Sequence, residues 1–444
     1  MEWFSPVGGL CDDNHVVFDF NERRDYGEGG AVEIAGPAMW ESTPAMNPSR
    51  RILFVDPIHH VHSVGYYRAA LDSTGFEDAE FTVVTSVVSA EEARRAEAVA
   101  QLQSRLHLRF LPQHAPINRR SQCSRLYWQA MKQVEAILER EQFDFLVYLM
   151  VDHALPFFAL PFASHWFPGH FRMGVRGLAF RHHGLRQTAT TPRGKCLEVF
   201  DRWILGRALR SGVFRRLSFL DREAARCAQV LEDRPVSGGG VDPVDFPDRD
   251  RTQVRTALGV APDDFVFLMF GALDERKGVI EALENLRAVA GPTDRVVALI
   301  AGRVTAELRP HLEETLRTCN FRVVLHDRFI PDEDRPNYFA AADCVLCPYK
   351  NFAGSSGVLL HGASGGALAV VSARGVMEDA VREFGFGEVV DVEDPAGFTT
   401  SLQRLLRLSP EERTRMSAGA RAYAHTHDFR LFMGQFFAPD EPKF

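Results

Sequence analysis

The chain has 444 residues, which exceeds the size at which one hydrophobic core stops growing, so two domains of about 150 to 200 residues are expected. It is 45% hydrophobic and 25% charged with a net charge of −8, which is typical of globular proteins and excludes a strongly basic nucleic-acid-binding surface. The 7 cysteines are odd in number and lack a disulfide spacing, which predicts reduced thiols and a cytoplasmic location.

Residues 1–50 are rich in Gly, Pro and acidic residues and have no clear periodicity. This composition predicts an N-terminal extension outside the main folding unit. The start of the chain has no basic segment followed by an apolar one, so we expect no secretory signal.

Residues 51–234 contain short apolar runs separated by helical patterns, one of which is "SRLYWQAMKQVEAILERE". Alternation of this kind predicts an α/β domain of the Rossmann type. The predicted strands are "RILFVD" (51–56), "FTVVTS" (81–86), "LHLRFL" (106–111), "FLVYLMV" (145–151) and "GVRGLAF" (174–180).

The most apolar window of the chain covers residues 143–167. Asp152, His153, Pro156 and Pro161 interrupt it, so it does not predict a transmembrane helix. We interpret it as a buried strand followed by an aromatic loop, which either belongs to the core or contacts a membrane surface or an apolar acceptor. Asp152 and His153 follow the strand, at the sheet edge where ligands bind in such folds, and are candidates for a ligand-binding site.

A cluster of Pro, Gly and Asp in "DRPVSGGGVDPVDFPDRD" predicts a boundary, with a second domain over residues 235–408. The triple glycine is typical of a turn or hinge rather than a phosphate loop. Six apolar runs alternate with helical patterns from residue 265 onward, which predicts a doubly wound parallel sheet buried on both faces. Residues 409–444 begin as a capped helix at Ser409, Pro410 and Glu412, and we expect this helix to cross back over both domains.

The stretch "CPYKNFAGSSGVLLHGASGG" turns from a strand into a helix through small residues. Such a loop exposes backbone N–H groups at a helix start, where the dipole favours an anion. It predicts either an anion cradle or an ordinary turn. The candidate cradle residues are Ser355, Ser356, Gly357 and Val358.

Two groups of residues raise the question of a metal site. Cys344 and Cys347 lie inside an apolar strand and point to opposite faces, which favours core packing over zinc. His59, His60 and His62 near Asp56 have a spacing that metal ligands use, but no partner set of carboxylates is identifiable. We therefore predict no metal at these residues.

Four segments resemble the GT-B glycosyltransferases, especially the retaining group known as family 4. "VSGGGVDPVDF", "FGALDERKGVIEAL", "YFAAADCVLCPYKNFAGSSGVLLHGASGGALAVVS" and "RTRMSAGARAYAHTHDF" are similar to its motifs and span residues 235–430. The resemblance implies two Rossmann-like doubly wound domains facing a cleft. The first would bind the acceptor, and its candidate acceptor-side residues are His60, His62, Asp152, His153 and His182. The second would bind a nucleotide diphosphate sugar, with UDP or GDP. The resemblance implies no other cofactor.

Site residues follow from the resemblance position by position. Lys277 would contact the diphosphate together with the cradle amides, and Gly65 would lie against the donor. His183, with His182 as its neighbour, would lie near the donor sugar. The family carries two glutamates where this chain has Ala353 and His361, and an arginine where it has Ala272. A histidine still hydrogen-bonds a hydroxyl, so His361 is the candidate for the ribose.

The combined prediction is a metal-independent glycosyltransferase that transfers a sugar with retention from a nucleotide diphosphate sugar to an unidentified acceptor. Charge on the leaving diphosphate grows in the transition state, and fixed N–H donors aimed at it lower the barrier. The alternatives are a catalytically silent nucleotide-sugar-binding homologue and, on the same fold, a nucleotide-sugar epimerase or a phosphorylase.

Overall fold

Two parallel β-sheets flanked by helices form the framework of the described part of the chain. The structure is a computed structural model. It describes residues 50–57, 63–86, 100, 104–111, 120–180, 185, 191–231, 236–245, 248–291, 294–373 and 375–437. Both sheets belong to one compact unit of the chain.

The first sheet has seven parallel strands in the order β3-β2-β1-β4-β5-β6-β7. The strands are β1 (Arg51–Asp56), β2 (Glu80–Thr85), β3 (Leu106–Phe110), β4 (Phe145–Tyr148), β5 (Val175–Ala179), β6 (Phe214–Phe219) and β7 (Val236–Ser237). The chain order reverses between β1 and β4, which places a topological switch point there. The five predicted strands are confirmed, although β4 ends early, because its apolar run continues into a 3-10 turn at Val151–His153.

Helices cover the first sheet where amphipathic segments bury one face. They are α1 (Ser63–Leu71), α2 (Arg120–Leu138), α3 (Leu155–Phe158), α4 (Ala163–Trp166), α5 (Pro168–Met173), α6 (Pro192–Arg210) and α7 (Arg222–Leu231). The helix α2 corresponds to the predicted helical pattern and packs against the strands around Leu146.

Sequence reasoning missed β6, because two arginines interrupt its apolar pattern. The side chain of Arg216 is buried, and its Nε donates to the carbonyl of Gln435 at 2.8 Å. A charge inside a strand is tolerated when it is hydrogen-bonded in this way. The strand β7 pairs with β6 and therefore extends the first sheet beyond the predicted domain boundary at residue 235.

The second sheet has six parallel strands in the order β10-β9-β8-β11-β12-β13, as the apolar runs predict. The strands are β8 (Phe265–Phe270), β9 (Val296–Ala301), β10 (Arg322–His326), β11 (Cys344–Cys347), β12 (Leu368–Ser372) and β13 (Gly387–Val390). Alternate residues of β8 enter two separate cores: Val266 and Leu268 on one face, Phe267 and Met269 on the other. Burial on both faces explains the continuous apolar sequence.

The second half of the chain has its own set of helices. They are α8 (Arg251–Ala257), α9 (Val279–Val289), α10 (Arg309–Thr318), α11 (Arg335–Ala341), α12 (Gly357–Ser364), α13 (Val376–Phe384), α14 (Pro395–Leu406) and α15 (Pro410–His425). The predicted cap of α15 is confirmed, since Ser409 and Glu412 form a reciprocal capping box.

The triple glycine packs tightly beside the first sheet. The N–H of Gly240 donates to the carbonyl of Phe219 at 2.8 Å, and a Cβ on Gly240 would lie 3.0 Å from that backbone. Gly239 adopts a φ of +72°. The segment is thus a close-packed turn, in agreement with the prediction.

The end of the chain returns to the first sheet. The helix α15 packs against α12 and α13 of the second half, and the following residues cross over. The ring of Phe432 stacks on Tyr66 of α1 at 5.6 Å, and the N–H of Met433 donates to the Ser73 hydroxyl at 3.1 Å. The crossing is therefore made by the segment after the helix rather than by the helix itself.

A half-buried histidine at this junction predicts a pH-dependent stability. Nδ1 of His427 accepts from the N–H of Asp242 at 3.1 Å, and burial lowers the pKa of His427 to about 4. Between pH 6.5 and 4 the unfolded chain takes up a proton that the folded chain does not, so the free energy of unfolding should fall on acidification, by about 1 to 3 kcal/mol from this residue. Urea unfolding of the wild type and of His427→Gln, whose amide oxygen keeps the acceptor, should show a shallower fall in the variant. Equal slopes would contradict the assignment.

Candidate functional site

The switch point of the second sheet lies between β8 and β11. These strands are neighbours, but the connections that follow them leave toward opposite sides of the sheet, which opens a crevice at their carboxyl ends. The segment after β8 contains Lys277, and the segment after β11 contains Ser355, Ser356, Gly357 and Val358. The topology therefore brings the two predicted donor-binding segments to one place.

Lys277 ends a 3-10 turn whose start is capped by Asp274. Its Nζ donates to the Tyr349 hydroxyl at 2.8 Å and lies 4.3 Å from the centre of that ring. Burial lowers the pKa of Lys277 to about 8. The side chain is thus a half-buried cation held against an aromatic ring, and not a freely solvated surface lysine.

The Tyr349 ring connects Lys277 to the small-residue loop. Its hydroxyl lies 3.3 Å from Oγ of Ser356, which is buried. The thiol of Cys347 also hydrogen-bonds with the side chains of Tyr349 and Ser356. Burial raises the pKa of the Cys347 thiol. Cys344 belongs to the core on the other face of the sheet, so the prediction of core packing for the C-x-x-C pair is confirmed.

The loop residues lead into the start of α12. Ser356 has an extended backbone at the N-cap position, and within the described part of the chain no side chain caps this helix start. The first N–H groups of a helix have no partner inside the helix, so the amides of Gly357 and Val358 are the donors that a bound anion would satisfy.

Two glycines hold the site segments by backbone contact. Gly278 has a φ of +66°, and a Cβ there would lie 2.2 Å from the carbonyl oxygen of Pro348. Gly375 has a φ of +106°, and its Cβ would lie 2.4 Å from the carbonyl oxygen of Ala353. A side chain at either position would separate the segments, because the contact is with backbone.

The two positions where the family carries glutamates have different surroundings. The carbonyl of Ala353 accepts from the N–H of Val376 at 3.0 Å, which fixes the loop without supplying a carboxylate. His361 lies on α12, and its ring stacks on Phe339 at 5.2 Å. Ala272, at the arginine position, is exposed.

The switch point of the first sheet brings together other predicted residues. Asp152 and His153 follow β4, and a carboxylate oxygen of Asp152 accepts from the N–H of Phe180 at 2.8 Å. The ring of His153 lies 5.4 Å from Tyr127. Gly65 is exposed in the first turn of α1, and a Cβ there would meet nothing within 4 Å.

Four predicted residues, His60, His62, His182 and His183, lie outside the described residues, as does His59. Within the ranges that the structure describes, no group of three or more His, Cys, Asp or Glu residues is arranged to hold a metal ion.

A model of the family "Glycosyl transferases group 1" matches residues 264–408. The crystal structure of HepE from Anabaena in complex with UDP and glucose superimposes with a TM-score of 0.59 at 15% identity, covering 87% of this chain and 98% of that chain. Sucrose-phosphate synthase from Thermosynechococcus elongatus superimposes with a TM-score of 0.65 at 11% identity, covering 87% and 98%. The chain has the GT-B fold. The part that matches the family model, residues 264–408, is called the group 1 domain below.

A curated glycosyltransferase is similar to part of this chain. The D-inositol 3-phosphate glycosyltransferase of Geodermatophilus obscurus is 30% identical over 195 residues, which is 42% of this chain and 42% of the relative. The chain thus matches less than half of the length of this relative.

Sequence reasoning missed Tyr349 and Arg276, and it named Asp56 only as part of a possible metal cluster. Tyr349 hydrogen-bonds Lys277, and the guanidinium of Arg276 lies over the same ring at 5.5 Å. Asp56, buried at the end of β1, accepts from the Tyr67 hydroxyl at 2.8 Å. Nothing local in the sequence pairs Tyr349 with Lys277.

Proposed function

We propose that this chain is a retaining, metal-independent glycosyltransferase of the family 4 group that uses a UDP-sugar. The observation that carries the proposal is the network from Lys277 through Tyr349 to Ser356, at the switch point of the group 1 domain. The network holds the Lys277 cation beside the N–H groups at the start of α12. A diphosphate is bound by both a cation and N–H donors.

In this proposal the group 1 domain binds the donor. Lys277 and the amides of Ser355, Ser356, Gly357 and Val358 bind the diphosphate, and these fixed charges stabilise it as it leaves. His361 binds the ribose. UDP is preferred over GDP because HepE binds UDP on the same fold.

The first domain would bind the acceptor and complete the cleft. Gly65 leaves room for the donor, and Asp152 and His153 orient the acceptor together with His60, His62, His182 and His183. The described cysteines form no disulfide with one another, which fits a reducing cytoplasm.

A second candidate function rests on Ala353 and Ala272. Because these positions supply neither a carboxylate nor a guanidinium, a homologue that binds a nucleotide sugar without turnover remains the alternative.

A thermal-shift screen of UDP, GDP, ADP and dTDP tests donor binding, since a nucleotide at about 100 times its Kd stabilises the fold by about 2.7 kcal/mol. We expect UDP to raise the Tm most. Release of UDP from UDP-glucose without an acceptor then separates the candidates: slow release supports the transferase, whereas binding with no turnover on any donor supports the silent homologue. No shift with any nucleotide would overturn both.

A further inference from the structure

Exposed aromatic and aliphatic side chains lie on two segments of the first domain that adjoin the contact between α3 and α6. The first segment is α4 with the residue before it, and the second is the part of α6 from Leu197 to Trp203. We define the docking face by Phe162, Trp166, Leu197, Phe200 and Trp203, each more than a third exposed. Monomeric proteins rarely expose apolar side chains in such a group without a partner.

Contacts with α2 hold the segment of the docking face that contains Phe162 and Trp166. Trp128 of α2 packs edge-on against Trp166, with ring centres 6.0 Å apart, and Nζ of Lys132 donates to the Trp166 carbonyl at 3.0 Å. One turn further along α2, Glu135 accepts from the N–H groups of Gly169 and His170. The exposed rings are therefore preorganised by buried contacts.

Phe162 has the most unfavourable position of the group. Its side chain is 74% exposed, and its φ of +63° lies in the left-handed region that bulky residues avoid. Strain of this kind persists where the surrounding structure imposes it, often at functional positions. Here it presents an apolar ring to solvent.

The helix α6 supplies the second part. The side chains of Leu205, Ala208 and Leu209 near its C-terminal end are buried. Leu197, Phe200 and Trp203 are exposed, and their spacing of three residues places neighbouring members of the set on one side of the helix. The rings of Phe200 and Trp203 stack at 5.9 Å. The helix α6 is therefore anchored at its C-terminal end and exposes apolar side chains before it, an arrangement suited to insertion into an apolar environment.

The charge around the docking face is opposite to that of the whole chain. The helix α6 contains five basic and two acidic residues, whereas the chain has a net charge of −8. The basic residues are Arg193, Lys195, Arg202, Arg207 and Arg210, and the acidic ones are Glu198 and Asp201. Aromatic side chains flanked by arginine and lysine are the composition that interfacial helices use on anionic lipids.

We propose that the docking face binds the surface of an anionic lipid bilayer. No helix in the described ranges combines the length and apolarity needed to cross a membrane, so the contact is peripheral. The rings of Phe162, Phe200 and Trp203 insert at the level of the headgroups, and the basic side chains of α6 contact lipid phosphates. Since α3 directly follows Asp152 and His153, docking would hold the proposed acceptor side near the bilayer.

Co-sedimentation of the full chain with vesicles tests the proposal and needs no transferase activity. We expect binding to vesicles containing phosphatidylglycerol, at least about tenfold weaker binding to pure phosphatidylcholine, and loss of binding in high salt. The combined substitutions Phe162→Ser, Phe200→Ser and Trp203→Ser should lower binding by about tenfold or more, because they remove the inserted apolar area.

Phe329→Ser is the matched control, since this ring is 45% exposed but belongs to the group 1 domain, and it should bind as the wild type does. Arg193→Glu with Lys195→Glu is a second variant that should weaken binding to anionic vesicles alone. The proposal is overturned if the wild type stays in the supernatant, or if the triple variant binds equally. It is also overturned if light scattering shows a wild-type dimer and a monomeric triple variant, because a second copy would then cover the face.

Discussion

Lys277→Ala is expected to weaken UDP binding by about 1 to 3 kcal/mol, which is the value of a charged hydrogen bond to a phosphate. The cation is already desolvated and oriented by Tyr349, so little ordering remains when the ligand arrives. Turnover should fall at least as much, since the charge on the leaving diphosphate increases in the transition state. Calorimetric titration with UDP measures the first effect, and UDP release from UDP-glucose the second.

The same substitution is not expected to destabilise the fold. The pKa of Lys277 is lowered to about 8 because burial disfavours the charge. Below pH 8 the folded chain therefore holds a cation at a free-energy cost, and its stability rises between pH 8 and the ordinary lysine pKa of about 10.4. A bound diphosphate offsets this cost. Charges that are unfavourable without their ligand are typical of binding sites.

The pH dependence of UDP binding provides an independent test. Above pH 8 the free chain loses the cation, so UDP affinity in the wild type should decline. Lys277→Ala should lack this decline. Lys350→Ala is the control, because it removes a lysine of the same domain whose ammonium pairs with Glu281. If Lys350→Ala weakens binding as much as Lys277→Ala, the effect belongs to general charge and not to the site.

Gly278→Ala is expected to lower the free energy of unfolding by about 3 kcal/mol or more and to abolish measurable UDP binding. The new Cβ would lie 2.2 Å from the Pro348 carbonyl oxygen, at a φ of +66° that alanine also disfavours. Either the strain remains, or the turn with Lys277 moves away from Tyr349. Urea unfolding and UDP titration measure the two effects.

Gly385→Ala separates the steric contact from the backbone preference. Gly385 has a φ of +64°, and a Cβ there would meet nothing within 4 Å. It should cost only about 1 kcal/mol, the penalty of the left-handed conformation. If both variants lose a similar free energy of unfolding, the contact with Pro348 does not contribute to the effect.

The sequence alone predicted the parts of this protein that depend on local pattern. Continuous apolar runs identified the second sheet, because strands buried on both faces allow no polar alternation. The capping box of α15 and the burial of Cys344 and Cys347 in the core were also predicted from the neighbouring residues alone. The strand β6 escaped detection, since the buried Arg216 is satisfied by Gln435, which lies 219 residues away in the chain.

The tertiary structure decided how the site is assembled. Strand order is not written in any single segment, and only the reversal between β8 and β11 brings residues 271–278 beside residues 348–357. The motif around Lys277 and Gly278 was visible in the sequence, but its partners Tyr349 and Pro348 were not. Local patterns record burial and backbone preference, whereas contacts between distant segments depend on how the strands are ordered in the sheet.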